Sequence, residues 1–436
     1  MQYLVNMIKD KAKRLARMTP FFLLILSFFL VFYKFTNIPK YLAFDEIEFT
    51  KLALSLDGKS YTPYSSLATG HSTLYFYILL WSLKLFGINT FALRLPAAIF
   101  GVLSVIMFYL VAHLSFRAIR QSAESRGILR NDIMPFLLTF IFLTLRWFLN
   151  FSRFAFEPTF LLFLELTSIY FFIRTVFIRT DPRLEGLSLI LSGIFAGLAF
   201  NSYTPGRIFF LLPLGFLIFK KYGQDSVLSL RKQLFLFLIS FIITIIPLTS
   251  YLMTHKESRV DQQFFLKNSK MTVNEKVSGL WQNVSSTTLM FFTKGDLNGR
   301  HNYPGKPALN PILGILFVLG LMISIKNWKN PYNIFSIFYL LFSIIPTLMT
   351  YPWENPNMLR TFTAIPSVVY FVGVAINKIG KKTLFFNFLF FIITMSSFYE
   401  LRTYFKYQAK VFESSFEIKY PLEKAIKMKN VYEKID

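Results

Sequence analysis

Apolar runs of roughly membrane-crossing length alternate with short polar connections along the whole chain. The first covers 20–35, interrupted only by Ser27 and Lys34, and others follow at 91–116, 133–149, 158–178, 187–203, 208–219, 234–253, 311–325, 332–350, 362–376 and 384–398. A helix needs about 20 apolar residues to cross hydrocarbon, and shorter stretches manage by thinning the bilayer or fraying. The pattern therefore predicts an all-α polytopic membrane protein with about eleven transmembrane helices. Residues 74–86 are apolar but too short to cross, which predicts an interfacial helix inside a long first outer loop, 36–89.

That loop opens on an acidic cluster, Phe44-Asp45-Glu46-Ile47-Glu48-Phe49. Its spacing is helical: Phe44, Ile47, Leu52 and Leu54 can bury along one side while Asp45 and Glu48 share another. A second long connection spans 254–310, and a tail follows from 399. Residues 1–19 carry Lys9, Lys11, Lys13, Arg14 and Arg17 ahead of the first apolar run, with no small-x-small cleavage site after it, so the start reads as a basic tail and signal anchor.

Charge then sets orientation. The cations Arg117, Arg120, Arg126, Arg130, Arg179, Arg183, Lys220, Lys221, Arg231, Lys232, Lys326, Lys329, Lys378, Lys381 and Lys382 fall in alternate connections, whereas those at 150–157, 203–207 and 351–360 hold one arginine each. By the positive-inside rule the first group is cytoplasmic, and the acidic loop, the 254–310 loop and the 399–436 tail lie outside. A bacterial plasma membrane, with the polar face turned away from the cytoplasm, is the expected location. The expected units are a basic tail (1–19), a membrane module (20–398) and a short external tail (399–436).

The composition, 54% hydrophobic and 19% aromatic with 16% charged residues, excludes an ordinary soluble protein. A net charge of +24 invites a nucleic-acid reading, but the cations sit between apolar runs and form no continuous patch with exposed aromatics, so no nucleic-acid partner is expected. No cysteine is present, which removes disulfides and thiolate metal sites.

The outer boundary collects polar residues from segments far apart: Asp45, Glu46, Glu48, His71, Arg94, Arg153, Glu157, Tyr203, Arg207, Asp296, Arg300, His301, Asn357 and Arg360. Charge at bilayer depth is costly unless paired or in a wet cavity, so the set predicts one polar cavity with carboxylates and arginines on its walls. Guanidinium grips phosphate oxygens bidentately and keeps its charge in a low dielectric, while a carboxylate beside it can take a proton from an acceptor hydroxyl. Each arginine has a bland reading as an interfacial anchor, and Arg153 with Glu157 as a helix-end pair. The stretch from Gly295 to Gly305, with Asp296, Asn298, Arg300 and His301, is rich in turn formers and donors and reads as a substrate-binding loop. His301 and Asp296 alone make no metal-ligand pattern, so no metal site is assigned, and divalent-metal dependence stays open.

These residues, with Ala92-Leu93-Arg94-Leu95-Pro96-Ala97-Ala98-Ile99-Phe100-Gly101, Phe151-Ser152-Arg153-Phe154-Ala155-Phe156-Glu157, Gly197 to Tyr203 leading to Arg207, and Asn357-Met358-Leu359-Arg360, resemble the protein mannosyltransferase and aminoarabinose transferase group, glycosyltransferase family 39 and its bacterial relatives. The resemblance implies a GT-C fold and inverting transfer of a sugar from a polyprenyl-phosphate donor to an acceptor on a protein, lipid or glycan, with no added cofactor. It implies Asp45 as catalytic base, Glu46 as its acidic companion, and Arg94 near the donor phosphate, with His71, Arg153, Arg207 and Arg360 as further phosphate contacts. Where relatives read Lys-Pro-Pro-Leu or His-Pro-Pro-Leu, this chain has His71-Ser72-Thr73-Leu74. The alternative is a transporter or flippase for a lipid-linked or anionic solute, which calls for mid-span charge; only Arg146, Glu165 and Arg174 qualify.

Overall fold

A computed structural model describes residues 18–121, 128–177, 181–219, 228–255, 257–380 and 383–428. Of the cations used for orientation, those before residue 18 and Arg126, Arg179, Lys220, Lys221, Lys381 and Lys382 lie outside the described residues. Apolar runs fold as helices because a helix satisfies its own backbone polar groups where no water can. In chain order these are α1 (Met18–Phe32), α2 (Phe44–Ser55), α3 (Leu74–Phe86), α4 (Thr90–Gln121), α5 (Ile128–Thr144), α6 (Arg146–Phe151), α7 (Pro158–Val176), α8 (Pro182–Phe200), α9 (Leu211–Ile218), α10 (Leu230–Thr254), α11 (Ser258–Gln263), α12 (Val273–Phe292), α13 (Pro311–Lys326), α14 (Pro331–Leu348), α15 (Ile365–Ile379), α16 (Thr383–Arg402), α17 (Ala409–Ser415) and α18 (Leu422–Lys427). A small antiparallel ribbon, β1 (Tyr64–Ser65) with β2 (His71–Ser72), pairs Tyr64 with Ser72 and Ser65 with His71.

All eleven apolar runs are helical. Among the described residues seven helices are long and apolar enough to cross a membrane: Thr90–Phe116, Pro158–Val176, Pro182–Phe200, Leu230–Thr254, Pro331–Leu348, Phe362–Ile379 and Leu384–Ser415. The remaining runs fall on the shorter helices Met18–Phe32, Ile133–Thr144, Thr204–Ile218 and Pro311–Lys326, and Leu74–Phe86 is the short helix its length predicts. In the bundle α4 packs on α7, α7 on α8, α8 on α10 and α13 on α15. At Gly320 a Cβ would stand 1.7 Å from the Phe371 carbonyl oxygen, so α13 and α15 meet backbone to backbone there.

Three expected boundaries move. The run 133–149 is not one helix: it breaks at Leu145, whose backbone is non-helical with φ -58° and ψ 126°, and α6 starts after it. The cause is Arg146, which pairs with Glu400 at 3.5 Å and donates to the Asn302 side chain and the Pro307 carbonyl, none of which a straight helix facing lipid would give it.

The 254–310 connection carries α12, opened by a capping box in which Thr272 and Glu275 satisfy each other's backbone N–H groups. Its polar residues Asn283 and Thr287 are buried while Val273, Val277, Trp281 and Val284 are exposed, so a search for buried apolar stripes passes over it. Asn283 donates to the carbonyls of Leu348 and Thr350 at 2.9 and 2.7 Å, locking α12 to the end of α14.

The segment after 398 is not a free tail. The last span continues to Ser415, Leu42 and Ile418 exchange backbone hydrogen bonds at 3.0 Å in each direction, and α18 packs on α2.

Candidate active site

The acidic cluster starts a helix whose first turn favours carboxylates, because its unpaired N–H groups and dipole point at them. Glu46 closes that turn by accepting from the Ala43 backbone N–H at 3.0 Å. Asp45, one position earlier, points elsewhere. It stays half-exposed and accepts from Arg300 Nη1 at 2.6 Å. Glu48 pairs on the helix surface with Lys51 at 2.9 Å. The buried side of α2 differs from expectation: Phe44 is exposed, while Glu46, Ile47, Phe49, Thr50, Leu52 and Ala53 face inward.

Glu46 and Arg94, expected as acidic companion and phosphate ligand, form an internal strut, and both are 0% exposed. Arg94 gives Nε to Glu46 Oε1 at 2.7 Å and Nη2 to Glu46 Oε2 at 2.9 Å, and donates to the carbonyls of Pro39 and Tyr41 at 2.5 and 2.7 Å. Neither group reaches solvent. Arg153 is likewise consumed: it donates to the carbonyls of Leu30, Val31, Tyr33, Lys34 and Ile38, capping the C-terminal end of α1. In this structure both fully buried guanidiniums are committed to the fold, Arg94 to Glu46 and two carbonyls and Arg153 to carbonyls alone.

Glu157, expected to pair with Arg153, instead accepts from His71 Nδ1 at 2.6 Å. Arg259 Nη1 stands 2.6 Å from His71 Nε2 and 3.0 Å from its Nδ1, against the ring edge that carries both nitrogens. Burial, reinforced by the Arg259 charge, lowers the proton affinity of His71 against the opposing pull of Glu157. Burial opposes ionisation of Glu157, but the charge and hydrogen bond of His71, and after them the Arg259 charge, outweigh it and hold that carboxyl below its ordinary value. The trio sets a histidine between a carboxylate and a guanidinium. It touches α2 through Phe49, one turn after Asp45, whose ring meets His71 edge-on at 5.1 Å.

Beyond His71 lies a cavity of about 330 Å³ into which Arg207, Arg259 and Arg360 converge. Arg207 is held at the rim by Glu257, and Arg360 by Glu354. The Arg207 Nε is buried without a protein partner among the described residues. Arg259 lies over the Tyr203 ring at 5.5 Å. Apolar side chains, Ile208, Val260, Phe264, Ile345, Pro346 and Met349, make up much of the rest of the lining, together with Glu257 and Gln263.

The 295–305 loop presents Arg300 to Asp45 from a rigid frame. Asp296 is nearly buried and accepts from the N–H groups of Asn298 and Met358 at 2.8 and 2.9 Å and from His301 Nδ1 at 3.0 Å. Asn298 in turn accepts from the Arg300 N–H at 3.0 Å, and Asn150, on α6, donates to the carbonyls of Arg300 and His301 at 2.8 and 3.0 Å. Of the four loop residues expected to meet substrate, Arg300 alone reaches toward Asp45; Asp296, Asn298 and His301 build the loop that carries it. Among the described residues no three His, Asp or Glu side chains converge on a metal position.

Arg259 and Glu257 escaped the sequence reading. Both follow an apolar run on a long connection, where cations ordinarily anchor a helix end, and only the folded chain brings Arg259 against His71.

Residues 70–251 match the family described as dolichyl-phosphate-mannose-protein mannosyltransferase. By structure the chain is similar to ArnT from Cupriavidus metallidurans bound to undecaprenyl phosphate, with TM-score 0.50 and 11% identity over 82% of this chain and 60% of that one. It is also similar to the oligosaccharyltransferase AglB from Archaeoglobus fulgidus in complex with an inhibitory peptide and a dolichol-phosphate, with TM-score 0.52 and 12% identity over 92% of this chain and 56% of that one. The chain has the GT-C fold. It spans about 60% of the length of the GT-C structures it matches. No curated protein matches it by sequence. Within the GT-C frame, the first loop meets the 151–157 corner through His71 and Glu157, the 203–207 turn through Ser72 and Arg207, and the 295–305 loop through Asp45 and Arg300, while Asp296 ties that loop to the 351–360 connection.

Proposed function

We propose that this chain is a membrane glycosyltransferase that moves a sugar from a polyprenyl-phosphate donor to an acceptor hydroxyl, with inversion, on the non-cytoplasmic face. The observation that carries this reading is the cavity in which three guanidiniums meet an apolar wall, since a lipid-linked phosphate needs both together. The apolar side continues: α9 and α14, whose neighbouring segments line the cavity, also bound an apolar groove of about 390 Å³ between Leu212, Phe216, Phe219, Ile334, Phe338 and Phe342. A phosphate held by Arg207, Arg259 and Arg360 would leave its isoprenoid tail along that groove.

In the reaction the acceptor oxygen attacks the anomeric carbon, its proton passes to Asp45, and the carbon–phosphate oxygen bond breaks with its electron pair leaving on the phosphate. The arginines stabilise that developing charge. Arg300 orients the Asp45 carboxylate until the acceptor displaces it, and His71 with Glu157 keeps Arg259 in place. Binding of undecaprenyl phosphate by ArnT and of a dolichol-phosphate by AglB supports a lipid-phosphate donor. A protein, a lipid or a surface glycan each supplies a suitable acceptor hydroxyl, and a bacterial plasma membrane fits the charge pattern. Against the transporter alternative, Glu165 is closed off by Tyr339 at 2.7 Å, and Arg146 is committed to Glu400 and the 295–305 loop.

Reconstitution in liposomes with polyprenyl-phosphate sugars tests the proposal. Covalent transfer to an acceptor fraction is expected; movement of the donor across the bilayer without transfer would assign a flippase instead.

A further inference from the structure

The opposite end of the bundle carries a second cavity, independent of the reaction proposed above. Helix α13 leaves the 295–310 connection and runs 16 residues, about 24 Å, before ending at Lys326. Helix α14 returns from there to Thr350 at the arginine cavity, and α15 descends again to Lys378. Between these far ends lies a cavity of about 520 Å³ lined by Lys326, Lys329, Lys378, Trp328, Asn327 and Asn330, with no carboxylate among its lining residues. Its floor is fixed. Asn330 caps α14 by accepting from the Tyr332 N–H at 2.9 Å, and Asn333 bridges the Asn327 carbonyl at 3.1 Å and the Tyr370 hydroxyl at 2.7 Å.

Lysines in the last turns of α13 and α15 would be explained by the helix dipole alone. That leaves Lys329, which sits between helices, and the exposed Trp328 beside it. Among the described residues none of the three lysines has an ion-pair partner. One further feature selects the ligand: Ile315, Val318, Met322 and Ile325 are exposed at helical spacing, an apolar stripe along α13, the helix whose last turn lines this cavity on a neighbouring face. We infer that the cavity binds the headgroup phosphate of an anionic phospholipid, with its acyl chains lying along the α13 stripe. Basic pockets between membrane helices at the positive-inside face recognise lipid headgroups in this way, and Trp328 has the amphipathic ring suited to headgroup depth.

The test is native mass spectrometry of the full chain, released from detergent with phosphatidylglycerol or phosphatidylcholine of identical acyl chains. Phosphatidylglycerol should be retained at least about tenfold better. The triple variant Lys326→Gln, Lys329→Gln, Lys378→Gln should lose that preference, while the Lys→Arg triple, which keeps the charge, should restore it. Equal retention of both lipids, or a preference unchanged in the glutamine variant, overturns the proposal. Inorganic phosphate is the remaining arm: if millimolar phosphate binds the wild type while phosphatidylglycerol, offered in its absence, is retained no better than phosphatidylcholine, the site takes free phosphate and the lipid assignment fails.

Discussion

Asp45 and Glu46 are adjacent in sequence, yet about 100° of helix rotation sends one to the rim and the other into the core. The difference sets what each substitution does. Glu46→Gln leaves Arg94 fully buried without its counter-charge and is expected to cost about 3–5 kcal/mol, read as a large fall in thermal midpoint in detergent. Changing Asp45 breaks only a part-exposed pair with Arg300, so its stability cost should stay within about 1 kcal/mol. The His71 site carries a pH prediction. Folding lowers the proton affinity of His71 from its ordinary value of 6.5, so protonation favours the unfolded chain. Stability from this group is therefore complete above pH 6.5 and declines as the pH falls from there toward the lowered folded value. The thermal midpoint should drop over that interval in the wild type. In His71→Asn the drop should be smaller; an identical pH profile would show that His71 is not the titrating group. The prominence of Asp45 was legible in the sequence because its position and helical spacing are local properties. The burial of Glu46, Arg94 and Arg153 was not, since each depends on partners tens to more than a hundred positions away: Glu46 on Arg94, Arg153 on the end of α1.

At the scale of elements, the span pattern was almost wholly legible, because each run reports its own apolarity. What failed were places where a polar residue found a distant partner. Arg146 breaks a run to reach Glu400, and α12 buries Asn283 against α14 while showing its valines and Trp281 outward. The 295–305 loop shows how such supports matter to chemistry. At Gly295 a Cβ would lie 1.8 Å from the Lys306 carbonyl oxygen, so Gly295→Ala must spread the two sides of the loop. Overpacking of this kind costs about 1–3 kcal/mol locally. It should reduce turnover by displacing Arg300 from Asp45 while leaving donor affinity nearly unchanged, measured as a fall in kcat at constant KM for the lipid-linked sugar. A raised donor KM would place the loop at the phosphate instead.

Across the whole molecule, five connections separated by apolar helices are gathered at one end, with the arginine cavity and Asp45 on the same side. This gathering was foreseeable from alternating loop charge, whereas the division of labour among the arginines was not. Arg259, which no local pattern marks, is the guanidinium set between His71 and the cavity. Arg259→Ala is expected to raise the apparent KM for the donor about tenfold or more, the scale of a lost charged hydrogen bond. Arg94→Ala should instead yield poorly folded protein with no selective change in donor KM. Transfer of the acceptor proton to the Asp45 carboxylate can be checked by single-turnover transfer from a polyprenyl-phosphate sugar by Asp45→Asn, alongside a measurement of donor binding. Transfer should fall by about a hundredfold or more with donor affinity retained; transfer at close to the wild-type rate would contradict the assignment.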